Sequence, residues 1–164
     1  MDEYLKNKKL VDTGSISTFT YNTLVFAGAA GKASSMQDLL KLEKIAIGSP
    51  KSVPAGEYAM EALKKGGIDK QLEKKLVIAR DVRECLMYAE RGELDGAFVY
   101  QTDALQAKQA KILFTVPQEL YTRVTYPMGM TTAGLKNADA RAFYRFLQSE
   151  VARTALRKYG FAIR

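Results

Sequence analysis

Three short segments of this 164-residue chain each end in a neutral hydrogen-bond donor, and together they have the chemistry to hold a small anion. Val53-Pro54-Ala55-Gly56 reads as the opening of a helix. Proline suits the first helical position because it has no N–H to leave unpaired and its φ is already helical. The next N–H groups, those of Ala55 and Gly56, are expected to lack intrahelical acceptors and to sit at the positive end of the helix dipole. Small side chains there would let a ligand approach the backbone. Asp81-Val82-Arg83 repeats the pattern, with Asp81 as N-cap and the first-turn N–H groups pointing outward. Tyr100, eighteen positions after Val82, offers a phenol that donates a hydrogen bond without carrying charge. Each piece also has an ordinary structural reading: helix starts whose N–H groups meet water, and a half-buried tyrosine at a strand end.

The elements that must position these groups alternate. Strands are expected at 22–27, 44–48, 75–79, 96–100 and 112–116, and helices at 3–10, 35–41, 54–65, 82–91 and 102–107. A last helix over 138–158 opens at Asn137 and stops at Gly160. This order predicts an α/β fold with a mostly parallel sheet and helices on both faces. Ligands of such sheets bind at the carboxyl ends of the strands, where Tyr100 lies.

The order of landmarks resembles the periplasmic molybdate-binding protein of ABC importers, a substrate-binding protein family. The residues that carry the resemblance begin with Tyr21-Asn22-Thr23-Leu24-Val25-Phe26, Lys44-Ile45-Ala46-Ile47-Gly48-Ser49-Pro50 and Val53-Pro54-Ala55-Gly56-Glu57-Tyr58-Ala59. They continue with Asp81-Val82-Arg83, the run from Gly92 through Tyr100 to Ala104, Tyr126-Pro127 and Lys158-Tyr159-Gly160-Phe161. The resemblance implies a type II periplasmic-binding-protein-like fold in which two lobes close over molybdate or tungstate, held by backbone N–H groups and hydroxyls. It implies Ala55, Val82 and Tyr100 as oxyanion ligands, with Pro54, Gly56 and Asp81 in support, no cofactor and no direct cation ligand. Neutral donors suit an anion that has to be released, since a desolvated ion pair holds it too tightly or admits other charged solutes. The implied partner is the membrane permease of the importer, and the implied location is periplasmic or extracytoplasmic.

One departure stands out. The family's first-lobe strand, Ala-Ala-Ser-type turn and serine pair have no counterpart here, so the chain reads as truncated in lobe one and is expected to bind weakly. Ser34-Ser35 do not replace that pair; Ser35 is expected to cap the helix that starts at Met36. The expected organisation is 1–21 as a remnant of lobe one and first crossover, 22–127 as a complete lobe two, and 128–164 as second crossover and C-terminal helix of lobe one. The apolar stripe of that helix, Ala142, Phe143, Phe146, Leu147, Val151 and Leu156, would lack its usual partner and favour a dimer or domain swap.

Composition narrows the function. The net charge is +7, but the lysines and arginines are scattered, without the aromatic interleaving of a nucleic-acid platform, so no nucleic-acid partner is expected. Gly28-Ala29-Ala30-Gly31-Lys32-Ala33 has the wrong spacing for a phosphate loop and lacks the hydroxyl after the lysine. With no histidine and only Cys85, the usual zinc sites and a Cys-His catalytic pair are excluded, and Cys85 reads as a core residue. The three donor positions offer no general base or nucleophile, so no enzyme activity is expected. No apolar run is long enough to span a bilayer, and Met1-Asp2-Glu3 is not the start of a signal peptide. The alternative is the ligand-sensing effector domain of a transcription regulator with the same fold, which would need a helix-turn-helix ahead of it.

Overall fold

Ile45–Gly48, Leu76–Ala79 and Gly96–Tyr100 become strands where short β-rich runs end at turn or capping residues, and the periodic segments between them become helices. The computed structural model describes residues 3–163. Its elements begin with α1 (Glu3–Asn7), β1 (Ser17–Asn22), β2 (Leu24–Gly28), β3 (Ile45–Gly48), α2 (Pro54–Lys65), α3 (Asp69–Leu72) and β4 (Leu76–Ala79). They continue with α4 (Val82–Glu90), β5 (Gly96–Tyr100), α5 (Gln101–Ala104), β6 (Lys111–Thr115), β7 (Val124–Met128), α6 (Ala138–Leu147) and α7 (Glu150–Lys158). Two compact units result: Asn22–Arg123, and Met1–Tyr21 together with Val124–Arg164.

The Asn22–Arg123 unit is built on a five-stranded sheet in the order β4-β3-β5-β2-β6. β3 pairs parallel with β4 and β5, whereas β2 is antiparallel to both β5 and β6. Four strands therefore run one way and β2 runs against them. Strand alternation sends successive side chains to opposite faces. Val25, Ala27, Ala46, Ala97 and Val99 meet Cys85 and Ala89 of α4 and Ala104 of α5. Phe26, Phe98, Ile45 and Ile47 point the other way, toward the layer of buried Ala59, Ala62 and Leu63 from α2. Phe26 anchors that face, edge-on to Phe98 at 5.1 Å and stacked on Phe114 at 5.4 Å.

In the second unit β1 and β7 form a two-stranded sheet. Tyr21 exchanges both backbone hydrogen bonds with Ala162, at 2.9 and 3.0 Å. α6 and α7 carry an apolar stripe that the unit does not cover, with Phe143 61% and Val151 69% exposed. Phe146 and Tyr159 join them around a groove of about 370 Å³ floored by Phe19, Leu147 and Leu156.

Several sequence expectations need correction. Residues 17–22 form a strand of their own ahead of β2, where only a crossover was expected. The helix expected over 138–158 is two helices, because Ser149 caps the second by accepting the Ala152 N–H at 3.3 Å. The first helix stops at Asn7, and the chain turns at Lys9 with φ 54°. Residues 37–41 form a 3₁₀ turn rather than an α-helix; Ser35 Oγ does accept the Asp38 N–H at 3.4 Å, but the Asp38 carboxylate accepts back from Ser34 and Ser35 and tightens the turn. The helix expected at 102–107 is the single turn α5.

Candidate functional site

The parallel strands β4, β3 and β5 are neighbours, so their carboxyl ends line one edge of the sheet. The chain leaves β3 through Ser49–Val53 into α2 and leaves β4 through Arg80–Asp81 into α4, and Tyr100 closes β5. Ala55, Val82 and Tyr100 thus come to the same edge of one unit, from two helix starts and a strand end. Ser49 ties two of these exits together by donating its N–H to the Ala79 carbonyl at 2.9 Å.

At the start of α2 the expectation holds for one donor and fails for another. Pro54 occupies the first turn and has no N–H to give. The Gly56 N–H is already taken by the Val53 carbonyl at 2.9 Å, so it is not available to a ligand. Glycine is needed at 56 for a different reason: a Cβ there would lie 1.9 Å from the Gly48 carbonyl oxygen, where the helix start presses on the end of β3. Ala55 is only 1% exposed, and among the described residues no acceptor takes its N–H. An enclosed N–H without an acceptor costs ~1–3 kcal/mol, which an anion's oxygen would recover.

The start of α4 is capped as predicted, and more completely. Asp81 Oδ1 accepts the Glu84 N–H at 2.8 Å, and Glu84 Oε2 accepts the Arg80 N–H at 2.7 Å. Among the described residues no acceptor takes the N–H of Val82, which is half-buried. Arg83 beside it is exposed.

Tyr100 is half-buried and forms the N-cap of α5, with φ −78° and ψ 152°. Three residues on, burial raises the Asp103 carboxyl above the usual carboxylate range, against the opposing pull of the Tyr100 backbone N–H and the Arg83 charge. The opposite edge of the sheet is closed by contrast. Asp95 there accepts the Glu43 and Lys44 N–H groups at 2.8 and 3.1 Å and pairs with Lys32 at 2.9 Å. Lys32, the lysine of the glycine-rich turn, is therefore occupied in an ion pair. Among the described residues no group of three or more His, Cys, Asp or Glu could hold a metal ion, and no helix is long and apolar enough to cross a membrane.

Three contributors were missed in the sequence. Glu84 stands three residues after the Asp81 cap, and that capping-box spacing could have identified it. Gly48 was legible only as a strand end, yet a Cβ there would lie 2.5 Å from Val53 Cγ1. Asn22 was read only as part of the landmark Tyr21–Phe26, because its partner Thr102 is eighty positions away.

Residues 1–162 match the family model of the bacterial extracellular solute-binding proteins. The chain belongs to that family. Its members bind solutes rather than transform them, in agreement with the absence of an expected catalytic group. The chain is 37% identical over 173 residues to the molybdate-binding protein ModA of Escherichia coli, covering 99% of this chain and 66% of that one. It is 34% identical over 168 residues to ModA of Haemophilus influenzae, covering 98% and 66%. It thus spans about two thirds of the length of these curated relatives. A solved substrate-binding domain assigned to a molybdenum ABC transporter of Clostridium difficile superposes with a TM-score of 0.90 at 31% identity, covering 99% of this chain and 72% of that one. The Azotobacter vinelandii periplasmic molybdate-binding protein has the same fold, with a TM-score of 0.79 at 21% identity over 99% of this chain and 74% of its own. These likenesses establish the periplasmic-binding-protein-like α/β fold.

Proposed function

We propose that this chain serves the substrate-binding component of an ABC importer and captures molybdate, with tungstate as the close alternative ligand. The Ala55 and Val82 N–H groups and the Tyr100 hydroxyl are the oxyanion ligands in this reading. Pro54 and Asp81 set the two helix starts, and Gly56 supports them through packing. What supports it is that two first-turn N–H groups with no acceptor among the described residues, and the strand-end Tyr100, all follow the carboxyl ends of three adjacent parallel strands. Helix N-termini favour anions, and the carboxyl edge is where open α/β sheets bind ligands. The ModA relatives, which are named for binding molybdate, support the choice of anion.

In the same reading, the lobe expected over 22–127 is complete, its end drawn back to Arg123 because β7 pairs with β1 in the other unit, and the remaining residues belong to a second lobe. The partner is the importer's membrane permease, and the location is periplasmic or extracytoplasmic. Three donors make a small shell for a tetrahedral oxyanion, so this chain alone binds with reduced affinity. The uncovered stripe on α6 and α7 favours association with a second copy, as a dimer or a domain swap.

Calorimetric titration with molybdate, against tungstate, sulfate and phosphate, tests the reading. Binding of molybdate and tungstate but not of phosphate is the expected result. Equal binding of all four anions, or none by this chain and by a longer form spanning the full length of its relatives, would overturn it.

A further inference from the structure

Asn22 and Thr20 are the polar side chains buried most deeply among the described residues, and Asn22 is 2% exposed. Burying an amide is costly unless both of its ends are used. Asn22 Oδ1 accepts the N–H of Thr23 at 2.9 Å, and Asn22 Nδ2 donates to Thr102 Oγ1 at 2.9 Å. Beside this pair, the Gln101 N–H donates to the Thr23 carbonyl at 2.8 Å. The reversed direction of β2 makes the arrangement possible. Leu24 is the register partner of Tyr100, so the residues just before β2 lie against those just after β5. Residues 101 and 102 are therefore each fastened to the Asn22–Thr23 pair, immediately after Tyr100 leaves its strand.

We propose that Asn22 is a positioning residue for the Tyr100 hydroxyl, acting through its hydrogen bond to Thr102. Fixing residues 101 and 102 fixes the backbone torsion at Tyr100 and with it the direction of the Cα–Cβ bond. The hydroxyl is at the far end of the ring, so a small backbone rotation is magnified there. An apolar side chain at 22 could fill the space, but it could not bond a neighbouring N–H and a distant hydroxyl at once. The proposal rests on the reading of Tyr100 as an oxyanion ligand.

The test compares Thr102→Val, which keeps the shape but removes the acceptor, with Thr102→Ser, which keeps the hydroxyl; Asn22→Ala provides a second break. Molybdate affinity is measured for each, alone and combined with Tyr100→Phe. Losing the Tyr100 hydrogen bond to the anion outright corresponds to a roughly 10- to 100-fold change, and misdirecting it to the lower end of that range. Thr102→Val is expected to weaken binding about tenfold in the parent chain and to cost little further once the Tyr100 hydroxyl is gone. Thr102→Ser is expected to retain the parent affinity. Equal losses with and without the Tyr100 hydroxyl, or no loss in the parent chain, would overturn the proposal.

Should the parent chain not bind molybdate, the longer form spanning the full length of its relatives decides the oxyanion reading separately, and two ligand-free measurements decide the positioning role. Faster amide exchange at Gln101 and a shifted Tyr100 ring resonance in Thr102→Val, both restored in Thr102→Ser, support it. Unchanged exchange and ring resonance overturn it.

Discussion

Asp81 and Glu84 hold the start of α4 from both sides, the aspartate accepting the Glu84 N–H at 2.8 Å while the Glu84 carboxylate reaches back to the Arg80 N–H at 2.7 Å. The pair satisfies the N–H of Glu84 and that of Arg80 but leaves Val82 between them as a donor. An acidic N-cap contributes ~1 kcal/mol through its hydrogen bond and its fit to the helix dipole. Asp81→Ala is therefore expected to lower unfolding free energy by about 1 kcal/mol in urea titrations. Asp81→Asn, which keeps the acceptor, should lose only a fraction of that. Equal stability of the alanine variant and the parent would show that the cap contributes nothing.

Gly56 makes a sharper case, because the obstacle to a side chain there is backbone. A Cβ would approach the Gly48 carbonyl oxygen to 1.9 Å and its carbon to 2.4 Å, so α2 would have to move off β3. Overpacking of a close-packed contact costs ~1–3 kcal/mol, and one against main chain belongs at or above the upper end. Gly56→Ala should show a loss of about 3 kcal/mol in urea unfolding, or insoluble expression. A variant as stable as the parent would mean that the helix start sits further from the strand.

Tyr100→Phe separates the phenol from the ring. The ring stays, so the apolar packing at the end of β5 is kept and the change falls on the hydroxyl. A hydrogen bond to a charged acceptor contributes ~1.5–3 kcal/mol, so molybdate affinity should fall roughly 10- to 100-fold. Unchanged affinity in calorimetry would remove Tyr100 from the ligand set.

Much of the Asn22–Arg123 unit was legible because its signals are local. Pro54 and the basic end at Lys64-Lys65 bound α2, and Asp81 marks the start of α4. Tyr100 ends a run with strong β preference, and Ala55, Val82 and Tyr100 could be read as a set from those three boundaries. What escaped depends on residues distant in sequence. The reversal of β2 is settled by its pairing with β5 and β6, which no window around Leu24–Gly28 contains. The split between α6 and α7 was missed because Phe143, Phe146, Val151 and Leu156 keep a helical period across the break, while Ser149 offers a cap that periodicity cannot weigh. Gly56 looked like room for a ligand because its neighbour in space, Gly48, is joined to it only by the fold.

Cys85 faces the alanine-rich layer between α4 and the sheet and is fully buried. Burial, reinforced by the nearby Glu84 and Asp81 charges, pushes its thiol pKa up to about 12. A raised pKa means that the folded state disfavours the thiolate, so stability should fall as pH rises through the unfolded thiol's value near ~8.5. At pH 8 the native protein should react with a thiol-specific disulfide reagent only as fast as it opens, and urea-unfolded protein should react at once. Rapid native labelling would place Cys85 at the surface.

Glu61 fastens the middle of α2 to the segment that ends the unit. Its carboxylate pairs with Lys65 at 2.8 Å and accepts the N–H and hydroxyl of Thr122 at 2.9 and 3.1 Å. Lys65 first, and then the Thr122 N–H, hold its carboxyl below the usual range against the effect of burial. A carboxyl lowered in the folded state adds stability above its unfolded pKa of ~4.3, and that stability is lost as pH falls through the folded value. Glu61→Gln keeps an acceptor for Thr122 but removes the charge, so the difference from the parent isolates the ionic part. The partly solvated Lys65 limits that part to under about 1 kcal/mol. Urea titrations at pH 7 should show the parent more stable than Glu61→Gln, with the gap closing as the pH is taken below 4. A gap that stays constant, or widens in acid, would mean that the Glu61 charge contributes nothing and that shape alone joins α2 to Thr122.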